Sequence, residues 1–159
     1  MGRFSVKENK SIYQKAREEL KLTRAKASEL LGCITDTRLE KIESGKILAR
    51  PEEVLTMEQK YKAAGLCNYY CASECPIGQK YVRKLELKDL SQITIEMLAN
   101  LNALDRDKER LVEIAVDGIV SDEERADFEK IRKQLSEMSD AIDSLSLWVD
   151  NAINTGKIV

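Results

Sequence analysis

Hydrophobic residues in the first third of the chain recur three and four positions apart, which is the period of an α-helix. Four short helices are predicted, with starts or caps at Ser11, Thr23, Thr35 and Pro51. The positions expected to face a common core, helix by helix, are Ile12, Ala16 and Leu20, then Ala27, Leu30 and Leu31, then Leu39 and Ile42, then Val54, Leu55, Met57 and Tyr61. Gly32 and Gly45 follow the second and third helices, where only glycine takes a positive φ without strain.

A longer repeat fills the second half of the chain. Apolar positions of a first long helix, from Ser91 to Val116, are Met97, Leu101, Leu104, Leu111 and Ala115, with Lys108 as a polar break. Those of a second are Phe128, Ile131, Leu135, Met138, Ile142, Leu145, Val149 and Ala152. Gly118 is expected to end the first, and Ser121 with Glu124 to form a capping box for the second. The predicted fold is all-α: an N-terminal domain of four to five helices followed by a long antiparallel helical hairpin.

Two helices alone cannot enclose apolar residues on their second faces. Residues of this kind in the hairpin are Ile93, Leu98, Ile114, Leu147 and Trp148. A four-helix bundle built across a two-fold axis would cover them, so residues 87–159 are expected to form a homodimer or to bind a partner. Docking of the hairpin on its own N-terminal domain, which leaves a monomer, is the alternative.

Composition adds a location and a charge asymmetry. No stretch of the 159 residues approaches the apolar length of a membrane span, and the N-terminus lacks the apolar core of a signal peptide, so a cytoplasmic protein without a membrane partner is expected. Residues 1–86 hold 17 basic and 12 acidic residues, whereas residues 87–159 hold 9 and 16. This distribution favours a polyanion as the partner of the front half alone.

Nothing in the sequence favours an enzyme. The chain contains no histidine, which removes the commonest general base and the commonest metal ligand. It also has no glycine-rich phosphate loop and no nucleophile-elbow pattern.

Cys67, Cys71 and Cys75 recur every four residues, so on a continuous helix their thiols would share one face. Three thiolates in that arrangement could bind zinc or three corners of an iron–sulfur cluster, with Cys33 or an external group as the fourth ligand. Reversible thiol chemistry of a redox sensor is a second interpretation. Packing of three small apolar side chains in a core is the third.

One string in the front third resembles a known family. Leu22-Thr23-Arg24, then Ala27, then Leu30-Leu31-Gly32, then Leu39, Ile42-Glu43 and Gly45 resemble the Cro/phage-repressor (XRE-type) helix-turn-helix regulators, with a longer turn at Cys33-Ile34. The segment from Ser11 to Gly78 is similar to a clostridial group of these regulators that share a CNYYC-x3-CPIG segment. The resemblance implies a transcriptional regulator that places its third helix in the major groove of double-stranded DNA.

The resemblance also implies which side chains would touch DNA. Residues near the start of the third helix would reach base edges, and residues around it would contact phosphates. The expected DNA-binding residues are Arg24, Thr35, Asp36, Thr37, Arg38, Lys41, Lys46 and Arg50.

The predicted organisation has three parts. Residues 1–64 form the helix-turn-helix domain, residues 65–86 carry the cysteine segment and a linker, and residues 87–159 form the hairpin. Two alternatives to a DNA-binding regulator stay open. One is an adaptor or antitoxin that uses the domain only for protein interaction, and the other is a regulator that senses metal or redox state through the three cysteines.

Overall fold

The computed structural model describes residues 10–158. Within that range the secondary structure consists of eight helices joined by turns and loops, with no strand. The helices are α1 (Ile12–Glu19), α2 (Arg24–Leu31), α3 (Asp36–Glu43), α4 (Pro51–Tyr61), α5 (Leu66–Ser73), α6 (Gly78–Tyr81), α7 (Leu90–Ala115) and α8 (Arg125–Asn154). The chain divides into two compact units. One contains residues 1–84 with 150–159, and the other contains residues 85–149. None of the described helices is long and apolar enough to cross a membrane.

The predicted caps of the short helices are confirmed. The hydroxyl of Thr23 accepts a hydrogen bond from the Lys26 amide, and that of Thr35 accepts one from the Arg38 amide, so each threonine satisfies a free N–H at its helix start. Gly32 and Gly45 have φ of +70° and +72° directly after α2 and α3. A side chain at either position would be forced into a strained backbone.

The core of the first unit contains most of the predicted apolar residues. Its fully buried members are Tyr13, Ala16, Ala27, Leu31, Ile34, Leu39, Ile42, Ala49, Val54, Met57, Tyr61 and Leu66. The prediction was wrong for Leu20, Leu30 and Leu55, which are exposed. In α1 the buried face is Tyr13, Ala16 and Arg17, one position beyond the predicted Ile12, Ala16 and Leu20 face, because Arg17 turns inward to an ion pair.

The cysteine helix ends before the third cysteine. α5 stops at Ser73, and Cys75 lies in the turn that precedes α6. The expectation that one continuous helix carries all three thiols on one face was therefore wrong. The turn is held by backbone contact: a Cβ added to Gly78 would lie 2.1 Å from the carbonyl oxygen of Cys71. The two short helices can approach this closely only because residue 78 has no side chain.

The second unit contains most of the long helix pair, α7 and α8, which pack together. In α8 the prediction placed Leu135 and Ile142 in the contact, but both are exposed, and Ile131 and Ala141 are buried. The covered positions of α8 within this unit include the buried Ile131, Ala141 and Ser144 and the half-buried Gln134, Met138, Leu145 and Trp148. Apart from Ser144 they alternate three and four apart, so the predicted heptad pattern is confirmed at Ile131, Met138 and Leu145, and the alternate positions, Gln134, Ala141 and Trp148, lie one residue earlier than predicted.

α7 shows a corresponding displacement. Ile93 and Ile114, expected on a second face, are its buried residues, whereas Leu101 and Ala115 are exposed. The positions that run between the two isoleucines at heptad spacing are Met97, Asn100, Leu104, Asp107 and Leu111, all half-buried. These positions of α7, together with Ile131, Gln134, Met138, Ala141, Leu145 and Trp148 of α8, are called the seam below.

A polar contact lies within the seam. The carboxylate of Asp107 accepts hydrogen bonds from Gln134 at 2.9 Å and from Lys130 at 3.0 Å. The heptad pattern in α8 thus includes a glutamine where the prediction placed Leu135. Hydrophobicity alone selected the leucine, and the hydrogen bond to Asp107 selects its neighbour.

Candidate nucleic-acid interface

Helix α3 presents one face to the core and another to solvent. Leu39, Ile42 and Glu43 are buried, and the residues exposed on the other side are Asp36, Thr37, Glu40 and Lys41. Thr35, itself exposed, is occupied as the cap of the helix. Among the predicted base-reading residues, Asp36, Thr37 and Lys41 therefore lie together on an open helical surface.

A buried ion network fixes the far end of α3 to α1 and α2. The side chain of Glu43 is fully buried and accepts hydrogen bonds from Arg17 at 2.6 and 2.9 Å. Arg24 donates to the same carboxylate at 2.8 Å. Arg17 also donates to the carbonyl oxygen of Leu22, which lies just before α2. One carboxylate thus joins three helices, with its charge matched by two guanidinium groups.

This network changes the interpretation of Arg24. The sequence predicted a phosphate contact for this residue, and the structure places its guanidinium on Glu43 with about a third of the side chain exposed (36%). Only Nε is used in that bond, so the other guanidinium nitrogens can still face solvent. The sequence analysis did not identify Arg17 and Glu43 as a pair, because spacing along the chain does not show that α1 and α3 bring these two charges together.

Arg38 is tied to the following helix. Its guanidinium forms a two-point ion pair with the carboxylate of Glu53 in α4, with Nη2 2.7 Å from Oε2. The same carboxylate accepts the backbone N–H of Arg50 at 2.8 Å. The hydrogen bond from Arg38 is the main cause that lowers the pKa of Glu53 below its ordinary value. Arg38, one of the expected DNA-binding residues, therefore already has a partner within the protein.

Two further basic side chains stand close to α3 along the chain. Lys46 is exposed in the turn after α3, and Arg50 is exposed as the residue that precedes α4. Together with Lys41 they supply the exposed positive charge next to α3, while Asp36 and Glu40 supply negative charge on its outer face. The surface is mixed in sign rather than uniformly basic.

The three cysteines of the 67–75 segment have different surroundings. The backbone N–H of Cys67 donates to Glu58 at 2.7 Å, and burial followed by the Glu58 charge raises the pKa of the Cys67 thiol to about 12. The sulfur of Cys75 accepts the backbone N–H of Gly78 at 3.4 Å. Within residues 10–158 no group of three or more Cys, Asp or Glu side chains is placed to hold a metal ion. A zinc or iron–sulfur site stays a prediction from the spacing of the cysteines.

Comparisons with protein-family models, with curated proteins and with solved structures found no match to this chain.

Proposed function

We propose that the protein is a sequence-specific DNA-binding transcriptional regulator in which α2 and α3 are the two helices of a helix-turn-helix and α3 enters the major groove. The observation that carries the proposal is the outer face of α3. It begins at a capped N-terminus and exposes polar side chains, while its inner face is anchored by Leu39, Ile42 and Glu43. A rigid helix with an open polar face is what the major groove accepts.

The exposed residues divide into two roles. Thr37 and Lys41 would reach base edges, Lys41 with guanine acceptors and Thr37 with either a polar group or a thymine methyl, and Asp36 would accept from a cytosine amine. Lys46 and Arg50 would contact phosphates beside the helix. Arg24 would contribute its free guanidinium nitrogens to a phosphate while it stays paired with Glu43.

The second unit would bring two copies together. Arg110 pairs with Asp127, and Asp107, which precedes Arg110, pairs with Lys130, which follows Asp127. Contacts that move backward along α7 as they move forward along α8 support an antiparallel hairpin. A homodimer through residues 87–159 would present two copies of α3 to two half-sites on one face of DNA in the cytoplasm.

The proposal is tested by recovering the DNA fragments that the purified protein binds from its genomic DNA, followed by a titration of the recovered site. Lys41→Ala should weaken binding to that site by roughly tenfold, since a good base contact is worth about 1–3 kcal/mol. Lys60→Ala is the matched control, because Lys60 is equally exposed on α4 but outside the α3 face. Recovery of no enriched fragment at low salt, or an equal effect of both substitutions, would contradict the proposal.

One observation favours a second candidate, an adaptor that binds protein instead of DNA. Arg38 is occupied by Glu53, and Asp36 and Glu40 add acid to the face that DNA would meet. Such a face would suit a basic protein segment. An adaptor would show no salt-dependent affinity for duplex DNA, whereas a regulator should lose affinity linearly in a log-log plot against salt.

A further inference from the structure

The two sides of the α7–α8 pair differ in chemistry. On one side, residues that come one position before a seam residue carry ion pairs: Arg110 with Asp127 at 2.8 Å and Lys130 with Asp107 at 2.8 Å. On the other side, five of the residues that come one position after a seam residue are apolar and exposed. These are Leu98, Leu101 and Val112 in α7 and Leu135 and Ile142 in α8. Ion pairs thus link the two helices on the first side, whereas the second side, called the open side below, exposes apolar side chains.

Along the open side of α8, apolar and polar residues follow one another in nearly the same order toward either end of the helix. The residues of this side, called the lateral face here, are the exposed Arg132, Leu135, Ser139, Ile142 and Ser146, with the half-buried Phe128 and Val149 at the two ends. Counted outward from Ser139, each direction meets an apolar residue, then a polar one, then an apolar one. Leu135 and Ile142 nearest the centre are 42% and 48% exposed.

A two-fold interface requires a surface that is complementary to itself, because residue i of one copy contacts residue j of the other and the reverse. The lateral face meets this condition when two α8 helices cross antiparallel at Ser139. Leu135 of each copy then packs on Ile142 of the other, Phe128 packs near Val149, and the small Ser139 side chains meet at the axis. A parallel arrangement would not bring Leu135 of one copy against Ile142 of the other.

The distribution of charge along α8 also favours antiparallel packing of two copies. The first part of α8, residues 125–137, has four basic and three acidic residues, whereas residues 138–154 have three acidic and no basic residues. Antiparallel packing brings the basic Arg132 and Lys133 toward the end that carries Asp143, and parallel packing would bring Asp143 toward its own copy. Arg132 and Lys133 pair with Glu129 and Glu137, which are exposed residues one helical turn away. Exposed ion pairs of this kind contribute little free energy, so the two cations can also interact with a second copy.

We infer that the lateral face of α8 binds the same face of a second copy of this chain, antiparallel and centred on Ser139, with Leu98 and Leu101 of α7 widening the contact. This inference rests on the dimerisation included in the proposed function and makes no use of DNA binding. It assigns the two-fold axis to α8.

Paired charge substitutions test both the surface and the direction. By light scattering coupled to size exclusion at about 10 µM, the wild-type chain should have twice its 18.0 kDa mass. Leu135→Lys and Ile142→Glu should each return the one-chain mass. The double variant should regain the two-chain mass, because the ammonium introduced at 135 then meets the carboxylate introduced at 142 in both halves of the interface. Circular dichroism and thermal unfolding confirm that each variant is folded.

Ile95→Lys is the matched control, because Ile95 is the same kind of exposed apolar residue (68% exposed) outside the open side, and it should leave the dimer intact. A one-chain wild-type mass, a double variant as dissociated as the singles, or an equal loss with Ile95→Lys would each overturn the inference. Failure here is separable from failure of the proposed function. A dimer that enriches no DNA contradicts only the regulator, whereas a monomer that binds a half-site contradicts this interface and the dimerisation on which it rests but leaves the DNA-binding role of α3.

Discussion

Arg38 and Glu53 join the helix proposed to read DNA to the helix that follows it through two parallel hydrogen bonds, with Nη2 and Oε2 2.7 Å apart. The carboxylate also holds the backbone N–H of Arg50, where α4 begins. A two-point guanidinium–carboxylate pair fixes orientation as well as distance. Glu53 thus positions α3 and, at the same time, competes with any base or phosphate for Arg38.

Release of Arg38 should tighten DNA binding. Glu53→Gln removes the charge that holds the guanidinium, so Arg38 becomes available to guanine or phosphate and affinity for the recovered DNA site should rise ~3-fold or more. Glu52→Gln is the matched control, because it removes the same charge from the adjacent exposed residue. Fluorescence anisotropy with labelled duplex measures both. Equal affinities of the two variants would show that Arg38 does not compete between Glu53 and DNA.

Loss of the Glu43 charge should destabilise the first unit strongly. Glu43→Gln removes the carboxylate that Arg17 and Arg24 share and leaves Arg17, whose side chain is 5% exposed, with only the more distant Glu18 at 3.8 Å; removal of one member of a buried ion pair costs about 3–5 kcal/mol. Urea unfolding followed by circular dichroism measures the change. Glu40→Gln, on the exposed face of the same helix, should change the unfolding free energy by no more than about 0.5 kcal/mol. A loss below about 1 kcal/mol for Glu43→Gln would contradict the role of this network.

A methyl group at residue 78 should separate α5 from α6. Gly78→Ala places its Cβ against the Cys71 carbonyl, and overpacking of this kind typically costs about 1–3 kcal/mol. Hydrogen exchange should show faster exchange of the amide protons in residues 66–81. Ile77→Ala, a substitution at a neighbouring position that is 73% exposed, should leave exchange unchanged. Unaltered exchange in the glycine variant would mean that the close approach is absent in solution.

The thiols should differ in reactivity toward iodoacetamide. Because only the thiolate reacts and the pKa of Cys67 is raised to about 12, its labelling should be very slow at pH 8 and should rise about tenfold per pH unit as the pH increases toward 12. Cys33 is exposed and should be labelled first. Glu58→Gln removes the carboxylate next to Cys67, which lowers the pKa and should accelerate its labelling; peptide mass spectrometry after timed quenching reports both sites. Equal rates for Cys33 and Cys67 at pH 8 would contradict the burial of Cys67.

Local rules predicted the helix boundaries of the first unit well. Thr23, Thr35, Gly32, Gly45 and Pro51 each act within a few residues of themselves, so their effect can be derived from the chain alone. The rules failed where a tertiary partner decides. Arg17 and Glu43 were not among the predicted core residues, and each offsets the other's desolvation cost only because the fold brings them together.

The residues of the candidate site show the same difference between features set by local sequence and features set by tertiary contacts. Exposure of Thr37 and Lys41 follows from helical period, since Leu39 and Ile42 define the inner face. The pairing of Arg38 with Glu53 depends on how α3 packs against α4 and could not be derived from spacing. In α8 the period and the positions of Ile131, Met138 and Leu145 were predicted, but the alternate positions lie one residue earlier, since Leu135 and Gln134 are adjacent and only the contact with Asp107 distinguishes them.

The hydrogen bonds of Asp107 with Gln134 and Lys130 carry a consequence for how the two long helices can slide. A purely apolar seam tolerates slippage by seven residues, because each layer resembles the next. Here such a step would set Asp107 against the methyl group of Ala141 in one direction, or against the carboxylate of Asp127 in the other. Both alternatives leave the Asp107 carboxylate without the donors it has here, so these hydrogen bonds favour a single registry of α7 and α8.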